Sequence, residues 1–164
     1  MTAILALLWL ALPAEAAQAP EIRAEPDGSV VGRMVLDAAR DEVIEALQDT
    51  RRVGRWSPSV VDVASAPRGR CEEVTLTLRG WFFPMIVTAE RCPTDQGFSQ
   101  QLVDSNVFRR WGAEWEVETT PAGTEVRYRL ESEISLPVTT GFVQRKTVAS
   151  MQVELQALAA AVGG

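Results

Sequence analysis

The sequence predicts an α+β domain. A curved antiparallel sheet of about six or seven strands wraps around one long C-terminal helix, with two short helices after the first strand. Three observations predict this. Val148, Met151, Leu155, Leu158 and Val162 recur at steps of three and four, which is one face of an amphipathic helix, and no proline follows Pro137. Most of the chain between Ser29 and Ser135 alternates apolar and polar residues, the period of half-buried strands. Two pairs of those runs fold into hairpins whose faces agree.

Length and composition set the bounds. With 164 residues the chain is one domain with a disposable front end. A chain of this size buries roughly 70% of its unfolded surface, enough for a core without a metal or partner. A net charge of −6 argues against a nucleic-acid surface and against electrostatic docking to anionic lipid. The chain has no histidine, so Ser-His-Asp and Cys-His mechanisms are excluded. Its 2 cysteines cannot make a four-ligand thiolate site, and no cofactor or metal is implied.

Ala3 to Leu12 is an apolar run too short to span a bilayer, followed by Pro13 and the small-x-small stretches Ala14-Glu15-Ala16 and Ala17-Gln18-Ala19. It reads as a secretory signal over residues 1–19, although no Lys or Arg precedes it. The expected location is therefore periplasmic or secreted. Residues 20–28 read as a polar, flexible lead-in, and 29–164 as the folded domain.

The elements follow in order. Ser29 to Leu36 is a strand. Asp37 to Glu42 opens a helix with acids in its first turn, which suits the helix dipole, and Val43, Ile44 and Leu47 form its buried face. Asp49-Thr50 breaks it, and a second short helix around Arg51 to Arg55 runs into Trp56-Ser57-Pro58. Val60 to Ala64 is a strand and Pro67-Arg68-Gly69 a turn. Cys71 to Cys92 reads as two strands folded about Trp81-Phe82. That register puts Val74, Leu76 and Leu78 on one face with Met85, Val87 and Ala89, and Glu73, Thr75 and Thr77 on the other with Ile86, Thr88 and Glu90. It also sets Cys71 opposite Cys92 on the outer face, so an exported chain should form that disulfide.

Phe98 to Asp104 is a further strand. Trp111 to Thr119 then pairs with Val126 to Ile134 across the turn Pro121-Ala122-Gly123. The register sets Trp115 beside Tyr128 and Val117 beside Val126, with Glu114 against Arg129 and Glu116 against Arg127 outside. Pro137 fits the first turn of the last helix, Val138 to Val162, which would be roughly 37 Å long. Gly163-Gly164 ends it.

This order, and some of its wording, resembles a known superfamily. Met34-Val35-Leu36-Asp37-Ala38 with Glu42-Val43-Ile44, then Asp49 with Trp56-Ser57-Pro58, then Leu136-Pro137 before the long helix, resemble the START-like, or SRPBCC, helix-grip superfamily. That superfamily includes polyketide cyclase/dehydrase and coenzyme Q-binding START-type domains. The resemblance covers about Ser29 to Val162. Ala39 departs from it, standing where the superfamily usually has a helix-starting proline. What the resemblance implies is an apolar cavity between sheet and final helix, holding a hydrophobic small molecule such as a lipid, isoprenoid or quinone-like compound. It names no ligand, because such folds host carriers, cyclases, hydrolases and regulators.

The expected wall is Leu76, Leu78, Met85, Val87, Phe98, Leu102, Trp111, Trp115, Tyr128, Leu130, Val148 and Met151. Tyr128, Ser132 and Gln100 are the polar anchors, and Gly141 leaves room near the helix start. Pattern alone reads these residues as a packed core; the resemblance favours a cavity. Trp81, Phe82 and Phe83, at a hairpin tip, would line the cavity mouth, make a transient membrane contact, or tuck under the final helix. The leading reading is a non-enzymatic carrier or sensor with no catalytic residue. The alternatives are a cyclase- or hydratase-type enzyme using Asp104, Tyr128 or Glu131, with no acid expected clearly on the inner face, and a ligand-free partner-binding module.

Overall fold

The computed structural model describes residues 19–80 and 82–163. The proposed signal, apart from Ala19, lies outside the described residues, as do Trp81 and Gly164. Within them the chain runs β1 (Glu21–Ala24), β2 (Val30–Leu36), α1 (Arg40–Gln48), α2 (Thr50–Trp56), β3 (Val60–Arg68), β4 (Cys71–Leu78), β5 (Met85–Thr94), β6 (Gly97–Ser105), β7 (Phe108–Thr120), β8 (Gly123–Ile134) and α3 (Thr140–Val162). All eight strands form one antiparallel sheet in the order β1-β2-β8-β7-β6-β5-β4-β3. The strand beyond the expected six or seven is β1, which forms within the lead-in and pairs with β2. The turn after β3 begins two residues later than expected, at Gly69, because Pro67 and Arg68 still pair with β4. Proline is tolerated there because β3 is an edge strand.

Both hairpin registers are those the side chains predict. Val74 faces Ala89 and Leu76 faces Val87 across β4 and β5. Trp115 faces Tyr128 and Val117 faces Val126 across β7 and β8. Arg127 pairs with Glu116 at 3.3 Å. Glu114 does sit opposite Arg129, but Arg129 turns to Asp27 and Glu131 instead. The loop before β2 brings Asp27 within 2.5 Å of it, a closer charge than the ladder neighbour.

Local chemistry sets the helix ends. The Asp49 carboxylate accepts the backbone N–H groups of Arg51 and Arg52 and so caps α2. The Trp56 indole N–H donates to the Ala46 carbonyl and ties α2 back onto α1. Ala39 occupies the N-cap of α1 and contributes no side-chain cap. Helix α3 starts at Thr140 rather than Val138, because the Thr139 hydroxyl accepts the Phe142 N–H. Pro137 is therefore outside the helix, which spans about 35 Å.

The long helix approaches β1, β2 and β8 and the two short helices. Gly32 on β2 permits the approach: a Cβ there would meet the Leu155 Cδ1 and the Met151 Sδ at 2.7 Å. Met151, Leu155, Leu158 and Val162 are buried along this contact. Strands β4 to β7 lie beyond the reach of that tight seam; α1 approaches β6 and β7, and α2 approaches β3. The space left among these elements is where the cavity lies.

Candidate functional site

A partly open cavity of about 120 Å³ sits between the concave face of the sheet and all three helices. Strands supply Leu76 and Leu78 from β4, Phe98 and Gln100 from β6, Trp111 and Trp115 from β7, and Tyr128 and Leu130 from β8. All eight are residues the sequence predicts for the wall. Period-two alternation puts each on the concave side.

The other expected wall residues are placed elsewhere. Val87 and Met151 are fully buried in the core, Met151 taken up in closing α3 over Gly32. Met85, Leu102, Ser132 and Val148 are part-buried without lining the cavity. Gly141 is exposed, and a Cβ there would meet only the Arg145 side chain, so it opens no room for a guest. Phe82 and Phe83 are exposed, at 76% and 43%, and neither lines the cavity. Gly80 makes that tip tight, since a Cβ there would strike the Phe83 carbonyl.

Sequence reasoning missed one side of the site. Leu47, Thr50, Val53, Trp56, Ser57, Ser59 and Val60 form a wall from α1, α2 and the segment leading into β3. It also missed two inward carboxylates, Glu72 and Glu154. The β4–β5 register sets Glu72 opposite Arg91, on the same face as Val74 and Leu76. Glu154 lies three residues after Met151 and four before Leu158, so the apolar spacing of α3 already places it on the buried face. By contrast Asp104 is exposed, and Glu131 sides with Arg129 on the outer surface.

Arg91 is only 5% exposed and has four acceptors. Its guanidinium donates to Glu72 Oε1 at 2.7 Å, to Thr50 Oγ1 at 2.6 Å, to the Gln48 carbonyl at 2.8 Å and to the Leu47 carbonyl. The Thr50 hydroxyl donates on to Glu72. Helix α1 has no basic residue in its last turn, so Arg91 supplies the cation that its terminal carbonyls favour. The guanidinium also lies 4.0 Å from the centre of the Phe98 ring. Burial pulls Arg91 below its ordinary pKa, and Glu72 opposes that shift. One residue beyond this pair the Cys71–Cys92 disulfide closes the same ladder.

The aromatic wall is partly self-filling. The rings of Trp115 and Tyr128 stack with centroids 3.9 Å apart, and Phe98 lies 6.2 Å from Trp115. Tyr128 is 9% exposed, and burial followed by the Glu154 charge raises its pKa, so its hydroxyl remains a donor at neutral pH. Glu154 is 8% exposed, and its Oε1 accepts the Ser59 backbone N–H at 3.1 Å. Ser59 and Ser150 hydroxyls meet nearby at 3.4 Å.

A second, wider groove of about 690 Å³ crosses the outer face of β6 to β8, lined by polar groups such as Ser99, Gln101, Arg109, Glu114 and Glu131. It shares Gln100 and Trp111 with the inner cavity. The β6–β7 ladder stops at Gln101–Gly112, so the sheet is thin at that point. Of the two, the inner cavity has the mostly apolar lining that ligand sites share.

No family model matches the chain, and no curated protein matches it. Solved structures do. A START superfamily protein from Mycobacterium smegmatis superposes with a TM-score of 0.76 at 16% identity, covering 82% of this chain and 97% of that one. A Streptomyces aromatase/cyclase gives a TM-score of 0.70 at 15% identity, covering 87% and 94%. A STAR-related lipid transfer protein fragment from Xanthomonas axonopodis gives 0.65 at 14% identity, covering 90% and 100%. The eight-stranded antiparallel sheet, the paired short helices and the closing C-terminal helix place this chain in the START-like, or SRPBCC, helix-grip fold.

Proposed function

We propose that the domain binds a hydrophobic small molecule between the concave sheet and its three helices, as a carrier or sensor. The observation that carries this reading is a mostly apolar cavity with Tyr128 and Glu154 as polar points on its wall. Ligand pockets typically measure about 300–1,000 Å³, so this cavity takes a ring or head group while the rest of a longer guest extends outward. A lipid, isoprenoid or quinone-like compound suits that division. Two of the similar structures, the START superfamily protein and the lipid transfer protein, support the class. Export fits the disulfide, which persists in oxidising compartments, and the apolar N-terminal run. Among the described residues no helix is long and apolar enough to cross a membrane.

Native mass spectrometry of protein purified from an exporting host tests the reading. The expected result is an apolar adduct that Leu76→Trp, which fills the cavity, removes. An adduct that survives Leu76→Trp places the guest elsewhere. Phe82 and Phe83 are the surface we assign to transient contact with a membrane interface, where aromatic rings settle. Replacing both with serine should remove co-sedimentation with lipid vesicles, and unchanged co-sedimentation contradicts that assignment.

One observation favours a second reading. Glu154 is an inward carboxylate close enough to Tyr128 to act on its ionisation, an acid–base pair for cyclase- or hydratase-type chemistry. The aromatase/cyclase among the similar structures supports it. The two readings part on Glu154→Gln: an enzyme loses turnover while still binding its substrate.

A further inference from the structure

We propose that the cavity selects guests carrying an alkylammonium group, held by Glu154 and the surrounding aromatic rings. This rests on the reading of the cavity as a binding site and adds the charge of what it binds. Glu154 lies on the wall and is more than nine-tenths buried. Its Oε1 accepts the Ser59 N–H, while its Oε2 has no partner among the described residues. No arginine or lysine forms an ion pair with it among those residues. The one basic side chain on the same wall, Arg91, is already engaged by Glu72.

The Glu154 Oε2 is not among the polar atoms sealed off without a partner, so a small group reaches it, and on a largely buried carboxylate with no counter-charge an ammonium supplies both a donor and the charge. The rest of the wall agrees. Trp56, Phe98, Trp111, Trp115 and Tyr128 all line the cavity. Aromatic faces attract cations more than they attract neutral groups of the same size. The site already holds one such contact, the Arg91 guanidinium against Phe98. Leu76, Leu78 and Leu130 would take the alkyl part. A cavity of about 120 Å³ is close to the ~150 Å³ that accepts a benzene, so a short alkylammonium fits whole and a longer one fits by its head. The acidic net charge of −6 adds a general attraction for cations.

The test compares butylammonium with butanol, near-isosteric probes that differ in charge. Binding is read by the fluorescence of the wall tryptophans. The expected result is at least about tenfold tighter binding of butylammonium. Glu154→Gln should erase that preference, and an unchanged far-ultraviolet circular dichroism spectrum shows that the variant is folded. Equal affinity for the two probes, or a preference that survives Glu154→Gln, overturns the charge selection and leaves the binding site standing. Failure of both probes, and of a larger apolar dye, to bind the wild-type protein overturns the site and the selection together.

Discussion

Replacing Arg91 with methionine should lower unfolding stability by about 3–5 kcal/mol, measured as the shift in a urea unfolding curve. The size follows chiefly from the groups left unpaired in the folded protein. Arg91 is 5% exposed and holds Glu72, Thr50 and the last carbonyls of α1 together. Without it Glu72 stays in place as a part-buried carboxylate with its counter-charge gone. The terminal carbonyls of Leu47 and Gln48 lose a donor, the Leu47 carbonyl at a buried position. A second substitution separates these effects. Glu72→Met in the Arg91→Met background removes the orphaned charge and should recover part of the loss. A loss below about 1 kcal/mol in the single variant would place Arg91 among ordinary surface ion pairs and contradict its role as the pin between sheet and α1.

Removing the disulfide is the second large effect. Cys71 and Cys92 are 21 residues apart, and closing a loop of that size stabilises by roughly 3 kcal/mol in the chain-entropy model. Replacing both with alanine should lower the thermal midpoint by about 10 °C for a domain of this length. The bridge closes the same end of the β4–β5 ladder as the Arg91–Glu72 pair, on the opposite face of the strands. The two destabilisations should therefore fail to add, since each loosens a ladder end the other still holds. An unchanged midpoint under reductant, with both thiols then open to alkylation, would contradict the stabilising role.

How far the chain is legible depends on how many constraints coincide at each residue. The β7–β8 hairpin is legible because alternation, opposite charges and the Pro-Ala-Gly turn all demand one register. The β4–β5 hairpin is legible because two faces and two cysteines agree. Strand β1 is not, since Glu21-Ile22-Arg23-Ala24 offers a single large apolar side chain and takes its place from pairing with β2. The start of α3 is misread by two residues because a proline suits a first turn, yet the Thr139 cap decides the boundary. At the site, strand periodicity finds eight wall residues, but it says nothing about how α1 and α2 close the near side. It also cannot tell Val87, which is sealed in the core, from Leu76, which reaches the void.

The inward charges show a different limit. Register and helical spacing both put Arg91, Glu72 and Glu154 on buried faces. The general expectation that charges face water pulls the other way. The geometry wins because each group finds partners: Arg91 at the end of α1, Glu72 at Thr50 and Arg91, and Glu154 at the Ser59 amide. Buried charges with hydrogen-bond partners are tolerated where bare ones are not. The partial filling of the trough was equally hidden, because alternation sets Trp115 beside Tyr128 without showing that their rings stack and narrow the space.

The central claim is that a guest enters the space between the sheet and the helices. The most direct test is an NMR experiment on the folded domain with a small apolar guest, reading intermolecular nuclear Overhauser effects. The account predicts contacts from guest protons to Leu76, Leu78, Trp111 and Tyr128, with resonances of Val87 and Leu158 in the sealed core unmoved. Contacts confined to the exposed Phe82–Phe83 tip, or none at all at saturating guest, would contradict it.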